Sequence, residues 1–199
     1  MMRRIALLLP LFAAVAAPAI AAPPPPATVK VALTTSAGPI VLALDARHAP
    51  ITTANFLRYV DKKLFDGTTF YRAAKSAPGF GFIQGGVHDN PRRIMAPIPH
   101  EPTNKTGLRH VAGTISMART EPGTAEGDFF IVTGTMTSLD AHPGARGDNA
   151  GFAAFGHVVS GMPVVRRILA MPTIHGGAGP MKSQILSAPV KIISARRVG

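Results

Sequence analysis

Phe70-Tyr71-Arg72 is followed ten residues later by Phe82-Ile83-Gln84-Gly85-Gly86. One aromatic, strand-like run carries an arginine and the next carries a glutamine. An unpaired charge buried among aromatic side chains is costly, so a cation in such a run has a use. Gly113-Thr114-Ile115-Ser116-Met117-Ala118 and Phe129-Phe130-Ile131 come further on. Together these supply one cation, several hydrogen-bonding groups and a set of large apolar side chains. Such a set suits a pocket that holds a small apolar ring while a fixed positive donor touches the adjoining peptide bond. Adjacent Phe129 and Phe130 on one strand must point to opposite faces, so one of them lies outside any barrel interior.

Working outward, Val29, Val31 and Leu33 alternate with Lys30 and Ala32, and Ile40, Leu42 and Leu44 alternate in the same way. Ser36-Ala37-Gly38-Pro39 between them carries turn chemistry, which predicts a β-hairpin. The period then changes. Phe56, Leu57, Val60 and Leu64 follow helical spacing after Ala49-Pro50, with Thr52 or Thr53 as the cap and Gly67 as the stop. Strand-like runs return at 68–71, 80–84, 114–118, 129–133 and 153–159. A short second helix is expected at 163–171, with Val164, Val165, Ile168 and Leu169 as its apolar stripe, and a last strand at 190–198. About eight short strands with little βαβ alternation indicate a closed antiparallel barrel or a sandwich.

The N-terminus reads differently. Met1 to Arg4 carries two arginines, residues 5–17 are almost wholly apolar, and Ala19-Ile20-Ala21 fits a small-residue cleavage site. This predicts a signal peptide at 1–21, a proline-rich linker at 22–28 and one domain at 29–199. The alternative is an uncleaved anchor, but the apolar run is short for a membrane span and Pro10 and Pro18 interrupt it. Export to the periplasm with no stable membrane insertion after cleavage is the expectation. Losing Arg3 and Arg4 leaves 19 of the 21 basic residues against 10 acidic ones, a formal charge of +9. The basic residues are scattered, there is no tryptophan and there are two tyrosines, which argues against nucleic acid as a partner. The absence of cysteine removes disulfides, thiol catalysis and thiolate metal sites. The seven histidines show no paired metal spacing, no phosphate loop appears, and serine, histidine and aspartate occur without a nucleophile-elbow pattern. No metal and no cofactor are expected.

The ordered motifs resemble the cyclophilin-type peptidyl-prolyl cis-trans isomerases, most closely the exported bacterial ones. They are Ala49-Pro50 with Thr53-x-Asn55-Phe56, then Phe65-Asp66-Gly67-Thr68-x-Phe70-Tyr71-Arg72. Ile83-Gln84-Gly85-Gly86, 113–119, Phe129-Phe130-Ile131 and Phe155-Gly156-x-Val158 follow in order. The resemblance implies a closed eight-stranded antiparallel β-barrel capped by two α-helices, with the substrate groove on its outer face. It implies Arg72 as the catalytic residue and Gln84 as its neighbour. Phe130 and Leu139 would form the floor that receives proline, with an aromatic contribution from 80–82. Ala118 and Arg119 would line the adjoining groove, and Phe152 takes a position often held by histidine or tyrosine.

Two departures stand out. Lys75-Ser76-Ala77 is extra, so either Phe80 or Phe82 could enter the pocket; Phe82 is favoured by its fixed distance from Gln84. Gly127-Asp128 replaces the usual Ser-Gln, putting a carboxylate where an amide is common; Asp128 could pair with Arg72 or Arg119, or repel a substrate carbonyl. The implied partners are proline-containing polypeptides, with cyclosporin-type cyclic peptides as further ligands, bound by a monomer. Two other functions compete: a chaperone-like module that captures proline segments with little turnover, motivated by Asp128, and a basic binder of lipid headgroups or polyanions.

Overall fold

The first hairpin forms as the alternation predicts. In the computed structural model, which describes residues 27–88, 90–174 and 179–199, β1 (Thr28–Thr35) pairs antiparallel with β2 (Gly38–Asp45). Val31, Leu33, Ile40, Leu42 and Leu44 are fully buried. The expected signal peptide and most of the linker lie outside the described residues.

Pro50 opens α1 (Pro50–Asp61), where its fixed φ suits the first turn and its missing N–H costs nothing. Neither Thr52 nor Thr53 caps the helix. The carboxylate of Glu101 does so from a distant loop, accepting the Ile51 and Thr52 N–H groups at 3.1 and 2.7 Å. Then come β3 (Thr69–Ala77), β4 (Phe80–Gly86), the single-turn α2 (Thr103–Thr106), β5 (Thr114–Met117), β6 (Phe129–Val132), β7 (Ala154–Ser160), α3 (Met162–Ala170) and β8 (Ile185–Val198). The sheet closes in the order β1-β2-β7-β5-β6-β4-β3-β8, all neighbours antiparallel. The fold is therefore a closed eight-stranded barrel rather than a sandwich, with α1 and α3 packed against it. α3 buries Val164, Val165, Ile168 and Leu169, the stripe its spacing predicts.

Two differences from the sequence reading have local causes. Lys75-Ser76-Ala77 lengthens the β3–β4 hairpin, so that Ala77 pairs with Phe80 across Pro78-Gly79. β8 starts at Ile185 rather than at 190, because Pro189 falls where the β3–β8 register shifts, and an irregular step tolerates a residue without an N–H.

The barrel interior is aromatic. Phe56, Phe65, Phe129 and Phe155 are fully buried, with Phe129 edge-on to Phe56, Phe65 and Phe70 at 5.2, 5.4 and 5.7 Å. Phe70 is also the reason residue 85 is glycine: a Cβ there would stand 2.9 Å from the Phe70 ring and 2.6 Å from the Thr69 carbonyl oxygen. Phe129→Ala is expected to cost about 3–5 kcal/mol in stability, read as a lowered midpoint in urea unfolding.

Candidate active site

A β-bulge aims the arginine. Phe70 pairs with Gly85 and Arg72 with Gln84, so two steps along β3 match one along β4 and Tyr71 is the extra residue. In a regular strand Arg72, two residues on, would share the inward face of Phe70. With the bulge, Arg72 opens a row across four strands: Arg72 opposite Gln84, Gln84 opposite Phe130, and Phe130 opposite Ser116. Phe129 faces the core, so Phe130 takes the outer face, as adjacent strand residues must.

The row is locked by hydrogen bonds. The Arg72 Nη1 donates to Gln84 Oε1 at 2.8 Å, and its Nε donates to Gln184 Oε1 at 2.8 Å. Gln84 Nε2 donates to the Tyr71 hydroxyl at 2.6 Å, and that hydroxyl donates to Asp128 Oδ2 at 2.7 Å. The Arg72 Cζ lies 5.0 Å from the Phe82 ring centre. Burial draws the guanidinium somewhat below its ordinary pKa, but an arginine remains charged at any physiological pH. Burial, followed by the Asp128 carboxylate, pushes the Tyr71 hydroxyl far above its ordinary value, so it stays a neutral donor.

Beside the guanidinium is an apolar slot. Phe82, Phe130 and Phe152 meet in sequence, with centroids 5.2 and 5.4 Å apart and Phe152 edge-on. Phe82 shares the outward face of Gln84, two residues away, whereas the Phe80 ring lies over Gly134. Leu139 joins through its backbone, its carbonyl accepting the Phe152 N–H at 2.9 Å. A cavity of about 400 Å³ adjoins the slot, bordered by Tyr71, Gln84, Ala118, Arg119, Glu126 and Asp128.

Comparison with known proteins agrees. The family described as cyclophilin type peptidyl-prolyl cis-trans isomerase/CLD matches residues 30–197. The chain belongs to the cyclophilin-type peptidyl-prolyl cis-trans isomerases. It is 41% identical over 170 residues to peptidyl-prolyl cis-trans isomerase A of Dickeya dadantii, covering 83% of each chain. It is 38% identical over 173 residues to a peptidyl-prolyl cis-trans isomerase of Acinetobacter baylyi, covering 85% of this chain and 86% of that one. Among solved structures it resembles a Cryptosporidium parvum cyclophilin type isomerase, with a TM-score of 0.68 at 20% identity, over 86% of this chain and 98% of that one. The same protein, solved in the presence of the dipeptide Ala-Pro, gives a TM-score of 0.67, over 85% of this chain and 99% of that one.

In this isomerase Asp128 pairs with neither arginine considered for it. It holds the Tyr71 hydroxyl and the His88 backbone N–H (2.9 Å), while the His88 ring stacks on Tyr71 at 4.1 Å. Gly127 before it is required by packing, since a Cβ there would meet the Tyr59 ring at 2.5 Å. Asn55 pins the same loop, donating to the Glu126 carbonyl at 2.6 Å. Arg119 borders the cavity, but its head group braces the loop behind Phe152. It bonds Asp148 at 2.8 Å and the Gly151 carbonyl at 3.0 Å, and stands 4.8 Å from the Phe152 ring centre. Arg119 therefore positions the slot wall with its charge already paired.

Sequence reasoning missed the role of Tyr71, though it stands beside Arg72, and missed Gln184, which lies 112 positions from Arg72 and carries no motif. It also missed a buried relay. Ser116 Oγ lies 3.0 Å from His110 Nε2, and His110 Nδ1 lies 2.7 Å from Asp140 Oδ1. This is the hydrogen-bond order of a hydrolytic triad, yet Ser116 is 0% exposed, so no acyl carbon reaches it. The relay instead backs the slot, with the His110 ring stacked 5.9 Å from Phe130. Asp140 Oδ2 has no hydrogen bond and stands 3.6 Å from Arg109 Nη1, too far for one but within ion-pair range.

Burial holds His110 below its ordinary 6.5 against the opposing bond from Asp140. The unfolded chain takes up this proton as pH drops below about 6.5 while the folded chain resists, so stability is full above that pH and falls below it. Asp61, Asp66 and Asp148, held low by bonds from Arg197, Arg196 and Arg119, add losses only in more acidic solution. Thermal unfolding followed from pH 7.5 to 5 should show Tm falling across this range, with a flatter slope in His110→Gln.

Proposed function

We propose that this isomerase turns X-Pro bonds in exported polypeptides and so assists their folding, with Arg72 as the catalytic group. The reading is carried by one arrangement: a braced guanidinium on the outer barrel face, next to the aromatic side chains of Phe82, Phe130 and Phe152. A peptidyl-prolyl bond resists rotation by about 20 kcal/mol because resonance is lost at the top of the barrier. As the C–N bond twists, the nitrogen lone pair localises and becomes an acceptor. A fixed guanidinium donates to it only then, which is differential stabilisation of the transition state. Phe82, Phe130 and Phe152 clamp the pyrrolidine ring, while Gln84, Ala118 and the cavity beside Asp128 receive the chain before it. No bond breaks, so the reaction needs no nucleophile and no covalent intermediate. An acceleration of about 10⁵-fold needs about 7 kcal/mol, shared between the guanidinium and the clamp.

The enzyme acts as a monomer, and cyclosporin-type cyclic peptides compete for the same groove. Its periplasmic location is supported by the arginines, apolar run and small-residue site of residues 1–21. Its clients are accordingly unfolded exported chains.

In a protease-coupled assay on an Ala-Pro peptide, Arg72→Ala should lower kcat/KM by about 100- to 1,000-fold with Tm nearly unchanged. Arg72→Lys should recover little, because an ammonium cannot satisfy two amide oxygens and the amide nitrogen in one plane. Unchanged rates in Arg72→Ala would refute the mechanism. Mass measurement of the protein recovered from the periplasmic fraction should give a chain beginning at Ala22; an intact Met1 would refute cleavage.

A further inference from the structure

We propose that Gln184 is a positioning residue for isomerisation, gripping the Arg72 guanidinium at Nε so that it keeps its aim on the twisting amide. This role rests on the reading of Arg72 as the catalytic donor. One residue makes two neighbouring contacts on β3: the Gln184 side-chain oxygen accepts the Arg72 Nε–H at 2.8 Å, and its backbone carbonyl accepts the Ala73 N–H at 2.8 Å. Gln84 on the adjacent strand takes Nη1 at 2.8 Å. A single acceptor leaves the guanidinium plane able to swing about the bond. Acceptors on two different nitrogens define the plane, with the Phe82 ring against it. Each of these two acceptors is an amide oxygen.

The chain takes an unfavourable path to deliver this side chain. A short 3₁₀ turn (Gly179–Met181) is followed by Ser183 at φ 59°, a left-handed conformation that a residue with a Cβ rarely adopts. Among the described non-glycine residues only Lys63 shares it. The Gln184 N–H closes the turn onto the Met181 carbonyl at 3.0 Å. Such strain persists where the surroundings over-determine it, and here the surroundings are the strand that carries Arg72. A turn serving only to connect α3 with β8 would need the backbone bond to Ala73 and no particular side chain.

That distinction gives the experiment. Gln184→Ala keeps the backbone bond and removes the acceptor; Gln184→Glu restores an acceptor oxygen. With Ala-Pro peptide, Gln184→Ala should lower kcat about 10-fold with KM within twofold and Tm unchanged. In ¹⁵N-resolved proton spectra the Arg72 Nε–H signal should be protected from solvent exchange in the parent, lose that protection in Gln184→Ala and regain it in Gln184→Glu. Parent-like kcat and protection in Gln184→Ala would overturn the proposal. So would a lowered Tm with kcat and KM shifting together, which is the mark of a merely structural residue. If Arg72→Ala kept full activity the catalytic reading would fail, whereas the Nε–H signal would still report whether Gln184 holds the guanidinium.

Discussion

The position of one extra residue in β3 governs this molecule. Tyr71 breaks the pairing between β3 and β4, and the break changes which face every later residue of the strand presents. Phe70 fills the barrel and Arg72, two places on, stands outside it. A charged guanidinium inside a core of phenylalanines would be insupportable. The same side chain on the outer face is partly buried and hydrogen-bonded. The bulged residue is not wasted either, since its hydroxyl links Gln84 to Asp128.

The hydrogen-bond chain from Asp128 through Tyr71 and Gln84 to Arg72 links a carboxylate to the guanidinium through two neutral groups. Two groups away, Asp128 sets the direction of each donor: Tyr71 must give its proton to the carboxylate, so it accepts from Gln84 Nε2, which turns Gln84 Oε1 toward Arg72. The amide orientation follows from the network. Arg119 shows the opposite arrangement, paired with Asp148 and occupied with bracing Phe152. Arg72, by contrast, donates to the side-chain amides of Gln84 and Gln184.

Much of this was legible in the sequence because it is local. Alternation in β1 and β2, the stripe of α3 and the fixed spacing of Phe82 from Gln84 need only the period of a strand or helix. The ordered motifs extended that to the closed barrel. What was not legible depends on pairings across long stretches of chain. Glu101 caps α1 from another loop, Asp148 claims Arg119, and Gln184 reaches Arg72 from the far end of the chain. Asp128 was noticed as a departure, but its partner could not be chosen among nearby donors without the fold. α2 is one turn long and leaves no periodicity to read. The relay of Ser116, His110 and Asp140 contradicts a search by motif altogether, because the triad order arises here with no elbow and no access.

The outer face of a closed barrel also separates chemistry from stability. Phe129 and its neighbours fill the interior, where each lost contact is paid across the whole fold. Arg72, Gln84 and Phe130 are the outward residues of the same strands, so they inherit rigid backbone positions without being needed to fill the core. Hydrogen bonds and loop residues then fine-tune them from the solvent side: Gln184 after α3, Phe152 before β7, Asp128 before β6. Substitutions on those loops can therefore alter the reach, charge and selectivity of the groove while the barrel beneath stays folded. The relay behind Phe130 is where the two domains of effect meet, since His110 is buried like a core residue yet stacked on the slot, and a proton forced onto it would disturb both.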